Sequence, residues 1–338
     1  MIKQSGIPFI GKLIKAIFIV TFLSLFVYAN DNEINKKINT NLYDFVALKN
    51  SQKALEDIKN LSNAIKAKEL KKVNEDFKTF VKSWKSVQAF YILGDINEDF
   101  IDTPRYMDIF HNGNEDITKQ LDRAIKSKDE IRVSLFKNSL KSINALEYIL
   151  YKKNIKEKRV NDIALAITKR LTSHLEDIFS AYLDNKKMFL ADKKKSNAVI
   201  INAIIQSSYK LKEWRVGDVI GLTKKYENKA DNARAEYYLS KSSAIAIEAI
   251  LQTYKNVLDN DSYEDFGDYL ISLTDGKDIK KLRTSLHKSL KLIKEIKNDD
   301  FSNAKELYEE INEIHVILFV EMVEDLAINA KILDSDGD

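Results

Sequence analysis

Apolar residues recur every three or four positions along most of this chain, the period of helices that bury one face. The spacing predicts helices over residues 36–68, 69–93, 114–127, 130–153, 157–190, 195–215, 233–259, 263–273, 277–298 and 302–333. Sustained alternation of period two, the mark of a half-buried strand, is not found. Breaks fall at 94–113, 154–157, 217–232, 259–262 and 275–276, where Gly, Asn and Asp collect. Several segments exceed about 20 residues, as antiparallel bundles with short turns require. Two prolines and nine glycines are all that interrupt the pattern, so the expected class is all-α.

Two of these apolar stripes are interrupted by polar groups. In the segment 130–153, Glu147 shares a face with Phe136, Leu140 and Ile143, which lie within about 40° of it at roughly 100° per residue. A buried carboxylate costs several kcal/mol unless it is protonated, hydrogen-bonded or held against a cation. A structural glutamate satisfied by an Arg or Tyr from another helix is one reading, and a ligand or metal site is the other. In the segment 233–259, the stripe of Ile247, Ile250, Leu251 and Tyr254 continues towards the N-terminus as Ser243, Ser240 and Glu236. A core stripe that turns polar lines a polar cavity at that end, although the same serines could cap the helix start.

The longest irregular stretch, 94–113, joins Trp84 and Gln88 on one side to Arg105 and Asp108 near its far end. Loops of this length inside a helical protein are functional or pinned by packing. These four residues therefore join Glu147, Glu236, Ser240 and Ser243 as candidate ligand contacts, with core packing as the plainer role for Trp84 and Gln88.

Composition adds a compartment. Lys3, Lys12 and Lys15 precede the apolar run 16–29, and Val27 and Ala29 suit cleavage before Asn30. Residues 1–29 read as a signal peptide and 30–338 as the mature domain, with an uncleaved membrane anchor as the alternative. No cysteine is present, so no disulfide or lipid-modified N-terminus is available, and a bacterial periplasm is the expected location. The chain has 54 Lys plus Arg and 51 Asp plus Glu, and the three leader lysines account for the difference. A mature net charge near zero gives no support for nucleic-acid binding.

Several segments, in order, resemble the imelysin-like family, exported helical proteins that include a proposed insulin-cleaving membrane peptidase and iron-regulated periplasmic proteins. Trp84 to Gly94 is similar to the family's Trp-containing helix that ends in Gly. Ser142-Ile-Asn144-Ala-Leu-Glu147 lies where the family carries Gly-x-His-x-x-Glu. Arg215-Val-Gly217-Asp218 and then Glu236-x-x-x-Ser240-x-x-Ser243 resemble its Gly-Asp turn and its Glu-x-x-x-Ser-x-x-Ser helix. The ending Asp334-Ser-Asp336-Gly337-Asp338 is similar to the acidic tail of many members. The resemblance runs from about residue 38 to the C-terminus. It implies two packed helical bundles, their boundary somewhere in 154–232, and a pocket between the halves.

The departures bear on function. Asn144 stands where the family has His, and an amide oxygen is a poor ligand for zinc or iron. Ser142 replaces Gly and is expected to crowd a helix contact. Asn144 and Glu147, one turn apart, can still reach one cavity. Of the four histidines, His111 lies in or near the long loop, His174 faces inward, and His287 is expected in solvent. His315 falls on an apolar stripe that also receives Glu321 and Asp325. A zinc peptidase needs about three protein ligands and a general base. No His-Glu-x-x-His occurs, and Ser240 and Ser243 have no histidine in their segment to serve as base. The expected function is therefore non-enzymatic: binding or handling of a ligand, iron or another divalent metal ion, in an uptake pathway with membrane-associated components. Glu147 and Glu236 are the expected metal ligands, with Asn144 beside them. A metallopeptidase and a helical adaptor with a decayed site are the alternatives.

Overall fold

The computed structural model describes residues 33–111 and 115–322, and every regular element among them is helical. The leader, Asp325 and the acidic tail lie outside the described residues. No helix among those described is long and apolar enough to cross a membrane.

Helical residues 33–42 pass through a π-helical stretch, Tyr43–Leu48, into α1 (Lys49–Ala67). Lys68, left-handed at φ 58°, turns the chain into α2 (Leu70–Ala89). After the long loop come α3 (Ile117–Lys126), α4 (Ile143–Lys152) and the 32-residue α5 (Lys158–Phe189). The remainder forms α6 (Lys193–Lys210), α7 (Ser243–Leu258), α8 (Phe266–Leu273), α9 (Lys277–Glu295) and α10 (Lys305–Val316). Helix α1 packs on α2 and α5, and α4 packs on α5, while α9 lies between α7 and α10. The two groups meet where α7 runs along α2. Helix α2 is thus covered on two sides, and Phe77, Phe80, Val81 and Trp84 are all fully buried along it. Full burial of such side chains stabilises by about 1.5–3 kcal/mol each.

Two expected helices differ from the structure, and both differences shape the site. The segment 130–153 is not one helix. It holds a single turn, Ile131–Ser134, a 3₁₀ turn, Ser139–Lys141, and then α4. Ser142 ends the irregular part in an extended conformation, and its hydroxyl accepts the N–H of Ala145 at 3.2 Å. Ser142 therefore caps α4 rather than crowding it, as side-chain oxygens at helix starts do. Phe136 is 70% exposed and has no part in the face that carries Glu147. The segment 233–259 likewise starts late, since α7 begins at Ser243. Tyr237 (φ 59°) and Lys241 (φ 54°) are left-handed and interrupt the helix. Glu236 and Ser240 lie on the turns before α7, not on the helix itself.

A π-helical stretch, Leu211–Gly217, continues α6 and carries Trp214 and Arg215. Such local widening is frequent near functional sites. Gly217 at its end is closely approached: a Cβ there would stand 2.9 Å from the Lys212 carbonyl and 3.0 Å from the Tyr308 ring.

Candidate functional site

Where α2, the loop end, α4 and the turns before α7 converge, four charged side chains are buried together. Lys85 extends from α2 and is fully buried. Its ammonium donates to Asp108 Oδ2 at 2.5 Å, to Glu236 Oε1 at 2.5 Å and to Gln88 Oε1 at 2.8 Å. Arg215, from the π stretch, donates Nε to Glu236 Oε2 at 2.7 Å and Nη2 to Gln88 Oε1 at 2.9 Å. Asp108 also accepts the Tyr237 hydroxyl at 2.9 Å, the Phe110 N–H at 3.0 Å and the Trp84 indole N–H at 3.4 Å. Two cations and two carboxylates thus compensate one another, which is the condition for burying charge.

The electrostatics follow from this arrangement. Burial pushes the Asp108 carboxyl up, but Lys85, the Phe110 N–H and Arg215 outweigh it and hold Asp108 well below the usual carboxylate range. Burial likewise raises Glu236, opposed by Arg215 and Lys85. With a cation on each oxygen, the ionised form is the one the geometry accommodates. Burial works against the charge of Arg215, and Glu236 and Asp108 more than restore it.

Glu147 borders this cluster from α4. It is 6% exposed, and its Oε1 accepts both the backbone N–H of Ser240 at 2.8 Å and the Ser240 hydroxyl at 2.7 Å. Burial lifts its pKa to about 7; the Ser240 bonds pull it down, and the charges of Glu236 and Asp108 push it up. One turn earlier, Asn144 Oδ1 accepts the N–H of Ile109 at 2.8 Å, which ties α4 to the loop beside Asp108.

The sequence-derived set therefore divides. Trp84, Gln88, Asp108, Asn144, Glu147, Glu236 and Ser240 converge. Arg105 does not: it is exposed on the short helix Thr103–Met107 and faces Asp102 at 3.6 Å. Ser243 serves through its backbone, donating to Asp299 Oδ2 at 2.6 Å, and its buried hydroxyl has no hydrogen-bond partner. Lys85, Arg215 and Tyr237 complete the cluster and were not singled out as ligand contacts by sequence. Lys85 had a signal: Phe77, Val81, Lys85 and Ala89 form one i, i+4 ladder, so a lysine stands on an apolar stripe as Glu147 does.

A half-buried aromatic platform adjoins Arg215. His111 stacks on Trp214 with ring centroids 4.7 Å apart and planes 2° from parallel, and its Nε2 lies 3.1 Å from Asp218 Oδ2. Lys210 Nζ stands over the Trp214 ring, 5.6 Å from its centroid. Burial, with repulsion from Arg215, Arg105 and Lys85, lowers the Lys210 pKa to about 8. The other histidines fall elsewhere. His174 faces inward as expected. His287 is exposed and bonds Asp259. His315 pairs with Ser208 Oγ at 2.9 Å, and burial lowers its pKa to about 4.

The donor set does not fit a bare metal ion. Both oxygens of Glu236 already hold a cation, Asp108 accepts four donors, and Asn144 spends its oxygen on Ile109. Among the described residues, no three His, Asp or Glu side chains converge as metal ligands would. An ion between Glu147 and Glu236 would have to displace Lys85 or Arg215 from a buried pair.

Comparison with known proteins agrees with this architecture. The family model for imelysin, peptidase family M75, matches residues 42–318. No curated protein matches in sequence. An imelysin-like protein from Psychrobacter arcticum 273-4 superposes with a TM-score of 0.73 at 16% identity, covering 89% of this chain and 98% of its own. A protein of Parabacteroides distasonis ATCC 8503, described as a "putative iron-regulated protein A precursor", superposes with a TM-score of 0.62 at 12% identity, covering 85% of this chain and 94% of its own. The match over most of the chain, on an all-α framework with the sequence motifs in order, places this protein in the imelysin family.

Proposed function

We propose that this protein is an exported, non-catalytic member of the family that handles iron or another metal ion in the periplasm as an anionic chelate rather than as a bare ion. The observation that carries this reading is the pairing of Glu236 with Lys85 and Arg215. The Asp108 and Glu236 carboxylates that would face a bare cation are already neutralised from within. Among the described residues, no carboxylate is within ion-pair distance of the neighbouring Lys210, which stands against Trp214, next to Arg215. A platform of one unpaired cation and two stacked rings suits a carboxylate-bearing ligand. The iron-related description of the Parabacteroides protein and the leader-like residues 1–29 support the pathway and the compartment.

Peptidase chemistry is disfavoured by the same geometry, because Asp108 and Glu236 are spent on Lys85 and Arg215 and, among the described residues, no three ligating side chains converge to hold a catalytic metal. Calorimetric titration of the mature protein with ferric citrate, citrate alone, Fe²⁺ and Zn²⁺ tests the reading. Ferric citrate is expected to bind, and Lys210→Gln to weaken it by about tenfold, the loss of one charge-assisted contact. Binding of the bare ions with no response to ferric citrate would overturn the chelate reading. Chelator-sensitive cleavage of a peptide library would restore the peptidase.

A further inference from the structure

Away from the buried cluster, a groove of about 640 Å³ runs between the second half of α5 and residues 97–106. Its walls hold three carboxylates, Asp99, Asp177 and Asp184, and neither Lys nor Arg lines it. Among the described residues, none of the three has an ion-pair partner. His174 lines the same groove, is 6% exposed, and makes no hydrogen bond within the protein. Its ring stacks on Tyr106, with centroids 5.8 Å apart and planes 22° from parallel. Its nitrogens, with no partner in the protein, open onto solvent and are available to a ligand in the groove.

We propose that this groove is a second binding site, which takes an elongated organic cation bearing two primary ammonium groups. The spacing argues for two charges. Asp177 and Asp184 are seven residues apart on one helix, so their carboxylates recur along the groove at about 10 Å, from a rise of about 1.5 Å per residue. The acids are too dispersed to chelate one ion, and no three ligating side chains converge here. The faces of Tyr106 and Phe100 offer cation–π contacts to the chain between the charges. Burial, with the charge of Arg170, lowers the His174 pKa to about 4. The ring is therefore neutral at ordinary pH and presents a lone pair to an ammonium N–H. Arg170 and Lys141 lie near enough to repel a proton on His174, but neither lines the groove, and the acids Asp177 and Asp184 do.

This inference is independent of the chelate reading, and one experiment separates them. The mature protein is titrated by calorimetry, at about 0.15 M salt to screen diffuse attraction, with spermidine, N-acetyl-lysine amide, butylamine and MgCl₂. Spermidine is expected to bind at least tenfold more tightly than butylamine or Mg²⁺. Asp177→Asn with Asp184→Asn, both exposed positions, is expected to remove that advantage, and His174→Gln to reduce it. Lys210→Gln is expected to leave it unchanged. Tighter binding of the lysine amide than of spermidine would assign the groove to lysine side chains of a protein, and the diammonium proposal would fall. Equal affinity for butylamine and spermidine, or an unchanged spermidine affinity in the double variant with an intact helical signal, would also overturn it.

Discussion

The side-chain oxygen of Asn144 accepts the backbone N–H of Ile109 at 2.8 Å, one residue beyond Asp108. The position that the family motif gives to a histidine is here a clamp on the end of the long loop. Through it, the helix that carries Glu147 fixes the carboxylate that receives Lys85. Asn144→Ala leaves that N–H without its acceptor, and the expected loss is about 1–3 kcal/mol of unfolding free energy. Asn144→Asp, which keeps the oxygen, should lose less. Urea denaturation of the two variants checks the order.

Lys85 is the second lever. Its removal leaves Asp108 and Glu236 buried with one cation, Arg215, between them. Breaking a buried pair from one side costs about 3–5 kcal/mol, so Lys85→Met should be among the most destabilising single changes in α2. Adding Glu236→Gln to Lys85→Met should recover part of the loss, because it removes an uncompensated charge. A double-mutant cycle that shows simple additivity would mean that the two residues do not interact.

The cap on α7 makes a third test. Asp299 accepts Ser243 N–H at 2.6 Å and Ala244 N–H at 2.8 Å, and Asn232 holds the Asp299 carbonyl at 2.8 Å. Asp299→Ala should cost about 1–2 kcal/mol and Asp299→Asn less, since the amide retains one acceptor. Thermal melts followed at 222 nm resolve shifts of that size.

Much of this architecture was legible in the sequence, and the failures have identifiable causes. Helices such as Lys158–Phe189 and Lys277–Glu295 declare themselves because their apolar period runs unbroken from one turn signal to the next. The helix starts at Ile143 and Ser243 did not. Ser142 caps by a local hydrogen bond, and Tyr237 and Lys241 take left-handed conformations that side chains other than glycine seldom signal. Glu147 and Glu236 were visible as acids where hydrophobes belong, yet only Glu147 lies on a helix, one that starts at Ile143. Glu236 sits on turns before Ser243 that preserve its inward direction. Arg215 stood in a segment where the π stretch shifts the register, so a period of 3.6 misplaces it. Lys85 was hidden by expectation, since a lysine on a helix is nearly always solvated.

The last prediction concerns the proton on Glu147. Its pKa in the folded protein is about 7 against an ordinary 4.5, chiefly because of burial. Below pH 4.5 the residue is protonated in both the folded and unfolded chains. As pH rises from there, the unfolded chain gives up the proton while the folded one keeps it, and the stability supplied by the neutral form drains away. Above about pH 7 both states are ionised and the loss is complete, on the order of 3 kcal/mol at about 1.4 kcal/mol per unit. Glu147→Gln cannot titrate, and its amide oxygen can still accept the Ser240 N–H and hydroxyl. The variant should match the native protein near pH 4.5 and exceed its stability by pH 8. Asp265, which burial raises to about 6, titrates in the same window, so the quantity to measure is the difference between the two denaturation curves at each pH. Parallel curves from pH 4.5 to 8 would mean that Glu147 is ionised throughout, and that a cation, not a proton, meets its charge.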